Sequence, residues 1–454
     1  MSHAMISSYR NHSARSALGV CAVAFSLVAC NGLVDAPLPA NVADPATTRT
    51  PAGAIAAYKG TLVPMRDALS TFVGDAGVLS DELQSWEIGS PTGVFRANME
   101  IDSRVLPEDG TTQKPGALTY AHLNRIRGQA RQALGLLEGY APETSPALRG
   151  HVYSLIGYAQ TMLAELYCSG IPLSTLDFDG DYTLTGGIAT EDVLSRTVMV
   201  FDTALTLSTD SVRFLNLARI GKARALLGLG HFAEAAQAVA EVPDGYSYTM
   251  GYNAGTGTAN ARNVFQVINP GPYSYTVSDR EGQNGLDYIS SGDPRTAVAT
   301  IRVNQYGLTW YHPTPKYAQT GASPIVLADW VEARLIEAEA ALQAGDATTW
   351  LAKLNHLRQT GRTPALPDVT DPGTDDGRVD LLFRERAFWL FLTGHRQGDL
   401  RRLIRQYGRD AESVYPSGLY PGANGTYSTD VTLPIPIAEK TSNPRFDGCL
   451  SRDA

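Results

Sequence analysis

Few side chains in this sequence stand at spacings that could do covalent chemistry. There is no HExxH, no GxSxG and no phosphate-binding glycine loop. Past residue 30 the histidines are His122, His151, His231, His312, His356 and His395, and none are paired at metal-ligand spacing. Carboxylates are plentiful, and two of them facing each other across a cleft would suffice for glycoside hydrolysis without any local motif. Asp75, Asp81 and Glu82 form the tightest cluster, for which helix capping is the simpler reading. The sequence therefore predicts no catalytic residue, no metal site and no cofactor.

Recognition chemistry is better represented. Gly245 to Thr320 is rich in Gly, Asn and Tyr, and holds nine of the 21 tyrosines plus Trp310. A long loop-rich insertion in an otherwise helical chain is usually functional. Flat aromatic faces combined with Asn, Gln and Asp hydrogen-bonders are how sugar sites are built. The candidate ligand contacts here are Tyr273, Tyr275, Tyr288, Trp310 and Tyr311. The alternative for each tyrosine is packing within its own loop.

The four cysteines fall into two groups. Arg10 and Arg15 precede an apolar run, Ala17 to Ala29, too short to span a bilayer. It ends in Leu27-Val28-Ala29-Cys30, which matches a bacterial lipobox, so residues 1–29 read as a lipoprotein signal peptide and Cys30 as the lipidation site. The alternative is a plain secretory signal with a chance cysteine. Asn31, not Asp, follows the cysteine, so nothing argues for inner-membrane retention. Residues 30–53, rich in Pro, Ala, Asp and Thr, read as a flexible tether. Cys21 leaves with the signal, which leaves Cys168 and Cys449 as a disulfide pair in an oxidising space, or as two separate small buried residues. Losing Arg10 and Arg15 takes the net charge from −9 to −11. An acidic chain with no basic block makes a poor nucleic-acid binder.

The elements that must position these residues are helical. Apolar residues recur at helical spacing over Ala54–Ala76, Leu118–Leu137, His151–Tyr167 and Glu191–Leu207. Ala218 to Val242 is two small-residue-rich helices meeting at Gly230, and Leu327 to Leu357 is a second pair broken at Gly345-Asp346. Such pairs resemble tetratricopeptide units, which stack to bury their faces. The expected fold is mainly α, a tetratricopeptide-like scaffold with a loop-rich insertion at 245–320, in one domain over 54–454.

The most distinctive stretch is Leu381 to Leu403, LLFRERAFWLFLTGHRQGDLRRL. Ala387 to Leu392 is apolar all round and belongs in a core. Gly394 reads as a helix stop, Asp399 as the N-cap of the next helix and Gly408 as that helix's stop. Arg384-Glu385-Arg386 at the entry to a buried helix needs partners.

This stretch resembles the C-terminal signature of the SusD/RagB family of outer-membrane nutrient-binding lipoproteins, through Arg384-Glu385-Arg386, Gly394-His395-Arg396 and Asp399-Leu400-Arg401-Arg402. Asp293-Pro294-Arg295, Lys316-Tyr317, Ile336-Glu337-Ala338-Glu339-Ala340, Asn355 to Arg358, Pro434-Ile435-Pro436, Glu439 and Asn443-Pro444 follow in the family's order. Thr393 stands where the family usually has Glu, and Gln397 where it has an aromatic. The resemblance implies an outer-membrane, lipid-anchored protein facing the cell exterior. It would bind a glycan or peptide and pass it to a SusC-like TonB-dependent transporter that packs on the helical bundle. It also implies that the loop after the first helix lies near the ligand face, which adds Trp86 to the candidate contacts. Two alternatives carry distinct expectations: a tetratricopeptide-type envelope adaptor would have a groove for a partner segment, and a surface glycoside hydrolase two inward carboxylates.

Overall fold

The computed structural model describes residues 45–85, 94–107, 116–178, 180–255, 260–266, 275–303, 309–421 and 425–454. The chain divides into two compact units at Arg49/Thr50. Of the first, residues 45–49 are described, with one helical turn at Pro45–Thr48. The second, Thr50–Ala454, is the helical body.

The body is mainly α and tetratricopeptide-like. Its first helices are α1 (Pro51–Gly60), α2 (Leu62–Leu79), α3 (Val94–Asp102), α4 (Ala117–Tyr140) and α5 (Pro146–Leu166). After a short β-rich connection come α6 (Thr190–Leu207), α7 (Val212–Gly228) and α8 (Phe232–Val239). The insertion follows, and then α9 (Trp330–Gln343), α10 (Ala347–Thr360), α11 (Asp375–Trp389) and α12 (Arg396–Tyr407). From α4 to α10 each helix packs against the next in chain order. Local signals set the boundaries. Ser145, Ser211, Asp346 and Thr374 each cap a helix through a side-chain oxygen, which satisfies amide groups the first turn leaves without partners. Small residues set the spacing between helices: a Cβ on Gly157 or Gly221 would lie 2.5 or 2.3 Å from the Phe201 ring. That ring fits between α5 and α7 because neither helix has a side chain there.

Four boundaries differ from the sequence expectation. The first helix breaks at Thr61, whose hydroxyl donates to the Tyr58 carbonyl at 2.7 Å and competes with the backbone ladder. Ile325–Asp329 is a strand, and α9 starts only after Asp329, which caps it by accepting from the Glu332 amide at 3.0 Å. Asp399 is not a cap: α12 starts at Arg396, and the Asp399 carboxylate is taken up by buried arginines. α11 ends at Trp389 with Leu390 as its C-cap, so the stop expected at Gly394 (φ +82) falls in the turns beyond the helix; Gly408 (φ +64) is the left-handed stop of α12.

The insertion is pinned at its base. Strand β2 (Ser247–Met250) leaves α8 and pairs antiparallel with β6 (Ile325–Asp329), which enters α9. Tyr248 on this ribbon holds the His151 ring at 2.7 Å, and Tyr58 holds its other nitrogen at 3.0 Å. Burial pushes this imidazole down to about 3, so it is neutral. One large core runs through α1 to α9, and a second, around Trp350, Leu354, Leu382 and Phe383, joins α9 to α12. The tail is joined to the end of α5 by a Cys168–Cys449 disulfide, with Cα atoms 5.9 Å apart.

Candidate functional site

The charged signature of α11 and α12 lies inside the molecule, and its partners come from distant parts of the chain. Arg386 grips Asp399 with two hydrogen bonds of 2.8 and 2.9 Å. Arg402 donates to Asp399 at 2.7 Å and to Glu339 on α9, which also accepts from the Tyr407 hydroxyl. Glu385 accepts from Arg295 of the insertion and Arg358 of α10. Arg295 also forks onto Asp293, so the Asp293-Pro294-Arg295 element clips the insertion to α11. Arg396 makes a two-bond pair with Asp81, and His395 lies between Glu332 and Arg224. Every charge named here has a partner of opposite sign or a direct hydrogen bond, as burial demands. These side chains hold elements together, and the cavity that several of them line is about 20 Å³, room for a single water.

Asp75, Asp81 and Glu82 are likewise anchors rather than helix caps. Asp75 accepts from the Thr119 hydroxyl at 2.6 Å, and Asp81 also accepts from the Leu286 amide and Tyr288 hydroxyl. Glu82 accepts the Leu392 amide at 2.7 Å. Leu392 has φ +55, a strained conformation for a branched residue, and the Tyr317 hydroxyl holds its carbonyl at 2.9 Å. Burial pushes the Glu82 carboxyl up to about 8, against the Leu392 hydrogen bond that lowers it.

The candidate aromatics divide. Tyr288 is 1% exposed, its ring packed on Phe388 and Phe391 at centroid distances of 5.4 and 5.0 Å. Trp310 is 3% exposed. Neither presents a face to a ligand, which corrects that part of the expectation: both rings fill core that the insertion needs in order to pack. Tyr275 and Tyr311 are half-buried. Trp86 and Tyr273 lie outside the described residues. Among the described residues, the strands bring Gln84, Tyr275 and Tyr311 towards one place. Strand β1 (Leu83–Gln84) pairs antiparallel with β3 (Thr276–Val277), Gln84 opposite Thr276. The Tyr311 amide, on β5 (Thr309–His312), which pairs antiparallel with β4 (Ala299–Val303), donates to the Thr276 hydroxyl at 3.0 Å. Leu83–Gln84, the chain after Tyr275 and the Tyr311 backbone thus converge on one short sheet.

Beside that sheet lies a pair of carboxyls that the sequence did not single out. Asp102, at the end of α3, and Glu281, in the insertion, are buried and hydrogen-bond to each other. Burial raises both, Asp102 to about 6, and Asp102 raises Glu281 further, so the pair shares a proton. The Ser85 amide and Tyr420 hydroxyl donate to Asp102, and the Ser278 and Tyr427 hydroxyls to Glu281. Carboxyls in direct contact are too close to flank a glycosidic bond, which needs about 5 Å or more between them. The pair closes a knot between four segments. Among the described residues no group of three or more His, Cys, Asp or Glu side chains could hold a metal ion, and no helix is long and apolar enough to cross a membrane.

Comparison with known proteins follows the same lines. Residues 240–447, from the insertion to the tail, match the model of the SusD family. The fold is similar to a SusD superfamily protein from Bacteroides thetaiotaomicron VPI-5482, at 15% identity and a TM-score of 0.67, covering 88% of this chain and 100% of that one. A SusD-like carbohydrate-binding protein from Bacteroides vulgatus ATCC 8482 aligns over 88% of this chain and 97% of its own, at 15% identity and a TM-score of 0.63. A laminarin-binding SusD-like protein aligns over 88% and 99%, at 16% identity and a TM-score of 0.64. No curated protein matches the chain. In sequence over residues 240–447, and in fold over most of its length, this chain is SusD-like.

Proposed function

We propose that this protein is an outer-membrane surface lipoprotein that captures an oligosaccharide and delivers it to a SusC-like TonB-dependent transporter. After export, Cys30 carries the acyl chains and residues 30–53 hold the body off the membrane; several chains on one cysteine anchor stably where one would not. Capture is an equilibrium: aromatic faces cover the apolar C–H faces of sugar rings and loop side chains orient the hydroxyls. Delivery follows by closure over the transporter barrel, and no bond is broken.

The observation that carries this reading is the joint match, in sequence over 240–447 and in fold over 88% of the chain, to a group that includes carbohydrate-binding and laminarin-binding proteins. The convergence of the Gln84, Tyr275 and Tyr311 segments supports a ligand face there. The test is a glycan and peptide array on the purified chain, followed by affinity electrophoresis of Trp86→Ala and Tyr311→Ala. Binding to one glycan class, weakened at least tenfold in one variant with unchanged thermal stability, is expected; a tenfold loss is about 1.4 kcal/mol, the scale of one aromatic contact. Binding to peptides alone would replace the glycan. Binding to nothing, together with failure to co-purify with a TonB-dependent transporter, would overturn the reading. Cys30→Ala is expected to move the protein from the membrane to the soluble fraction.

A further inference from the structure

A cleft of about 630 Å³ opens beside the middle of α4. Tyr275, Tyr288, Trp310 and Tyr311 do not line it. One wall is α4, with Arg127, Gly128 and Arg131; positions 127 and 131 are four apart and share a helix face. The opposite wall is the hairpin of Thr175–Leu176 and Tyr182–Thr183. The short helix Ile437–Ser442 closes one end with Glu439.

Arg127 is the informative residue. It is 4% exposed, and among the described residues its guanidinium donates only to the Asn124 side chain at 2.6 Å and the Ser174 carbonyl at 3.2 Å. Its Nε has no hydrogen-bond partner, and among the described residues no carboxylate comes within ion-pair distance. Of the buried arginines of α11 and α12, Arg386, Arg396 and Arg402 each have a carboxylate, whereas Arg401 donates to the Ala164 and Tyr167 carbonyls of the packed α5 end; Arg127 differs from all four in facing a cleft of this size. A buried cation without a counter-ion is costly, and burial lowers Arg127 to about 10. Glu439 is the carboxylate whose charge acts on it, and that group is already engaged by the Tyr120 hydroxyl at 3.1 Å and the Asn443 side-chain amide at 2.8 Å. Arg131 adds a second, exposed guanidinium at the mouth. Two arginines against one glutamate leave the cleft net positive on a chain of net charge −9.

Shape and apolar surface complete the site. Tyr182 is 74% exposed at the lip, beside Leu176 and Leu184, and offers a flat apolar face. Gly128 stands in a helix interior, where glycine is disfavoured by about 1 kcal/mol against alanine. No heavy atom lies within 4 Å of where its Cβ would be, so its absent side chain leaves the floor open instead of admitting a neighbour.

We propose that this cleft binds an anionic sugar, a ring bearing a carboxylate or a sulfate ester, with Arg127 and Arg131 on the anion and Tyr182 against the ring. An anion supplies the charge-assisted hydrogen bonds that Arg127 lacks, whereas a neutral glycan leaves that cation uncompensated. The site is additional to the aromatic loops invoked above and does not depend on delivery to a transporter.

The test is isothermal titration of the full chain, in detergent, with trigalacturonate, a 6-O-sulfated trisaccharide and maltotriose as the neutral control. One of the two anionic probes is expected to bind at least about tenfold more tightly than maltotriose, with affinity falling as salt rises; which one binds tells carboxylate from sulfate. Arg131→Gln, a surface change, is expected to weaken it about fivefold or more. Gly128→Phe fills the open floor and is expected to abolish binding with the thermal midpoint held. Trp86→Ala is expected to leave it intact. Equal affinity for charged and neutral probes, no binding of either anionic probe, or full affinity in Gly128→Phe overturns the proposal. Loss in Trp86→Ala with retention in Gly128→Phe places the sugar at the aromatic loops and overturns it as well.

Discussion

Asp399 sits between Arg386 and Arg402, and burial alone would raise its carboxyl; the two guanidinium groups outweigh burial and hold it well below the usual carboxylate range. A depressed folded-state value means that the folded form binds fewer protons than the unfolded one, so this stabilisation is complete above about pH 4 and is lost as pH falls below it. Asp399→Asn leaves two buried arginines short of a counter-charge. The expected loss is about 3–5 kcal/mol in urea denaturation, with sugar binding by the remaining folded protein unchanged. A loss under 1 kcal/mol would show that the network is not what holds α11 to α12. The aromatics separate in the same way. Tyr288→Ala is expected to cost about 3–5 kcal/mol, as removal of a buried ring does. Tyr311→Ala, half-buried at the convergent sheet, is expected to cost much less and to act on ligand affinity instead. Residue types alone could not make these distinctions. Asp399 reads as a helix cap because Asp before an apolar stripe usually is one, and Tyr288 looks like Tyr275 until burial is known. Arg127 was silent in the sequence because its significance is a missing partner, which only three dimensions reveal.

At the scale of elements, helices were legible and their connections were not. Periodicity of 3.6 marks α4 and α6 within a few residues, because each buries one stripe, while α5 and most of α7 are buried on nearly every face. The insertion has no such period. Its order comes from clips to distant segments: the β2–β6 ribbon, Arg295 on Glu385, and the Asp102–Glu281 pair. That last clip makes a testable pH dependence. Both carboxyls are raised by burial, so the folded state binds more protons than the unfolded one. The sign is therefore the reverse of that at Asp399: stability from this pair declines as pH rises from about 4, where the unfolded groups ionise, through about 6, where Asp102 does. Glu281→Gln keeps a neutral hydrogen-bonding group at all pH values. It is expected to flatten the fall in thermal midpoint between pH 5 and 8, and to slow amide exchange at Ser85 and Ser278 at pH 8 relative to the parent. Parallel pH profiles for parent and variant would refute the shared proton.

On the scale of the whole molecule, the tail is what closes the structure on itself. The Tyr167–Leu433 and Ser169–Ser451 bridges and the Leu450 amide on the Ser169 carbonyl lay the C-terminal segment along the exit of α5. Arg452 pairs with Asp430 and donates to the Leu106 carbonyl, which reaches the loop after α3. Cys168–Cys449 covalently joins positions 281 residues apart, over most of the body. A cross-link on so long a loop restricts the unfolded chain far more than the folded one, and is worth about 2–5 kcal/mol. Cys449→Ser is therefore expected to lower the urea midpoint by that amount with the slope nearly unchanged, and reductant should bring the parent down to the variant's midpoint while leaving the variant unmoved. If reductant leaves the parent unchanged, the thiols are not bonded in the folded protein. If the variant falls further than the reduced parent, packing of Cys449 rather than the cross-link carries the difference. Because Tyr167 and Leu433 pack in the main core and Ser169 and Ser451 lie outside it, loosening the tail should expose the 449–454 amides to exchange first and leave α4 to α8 protected.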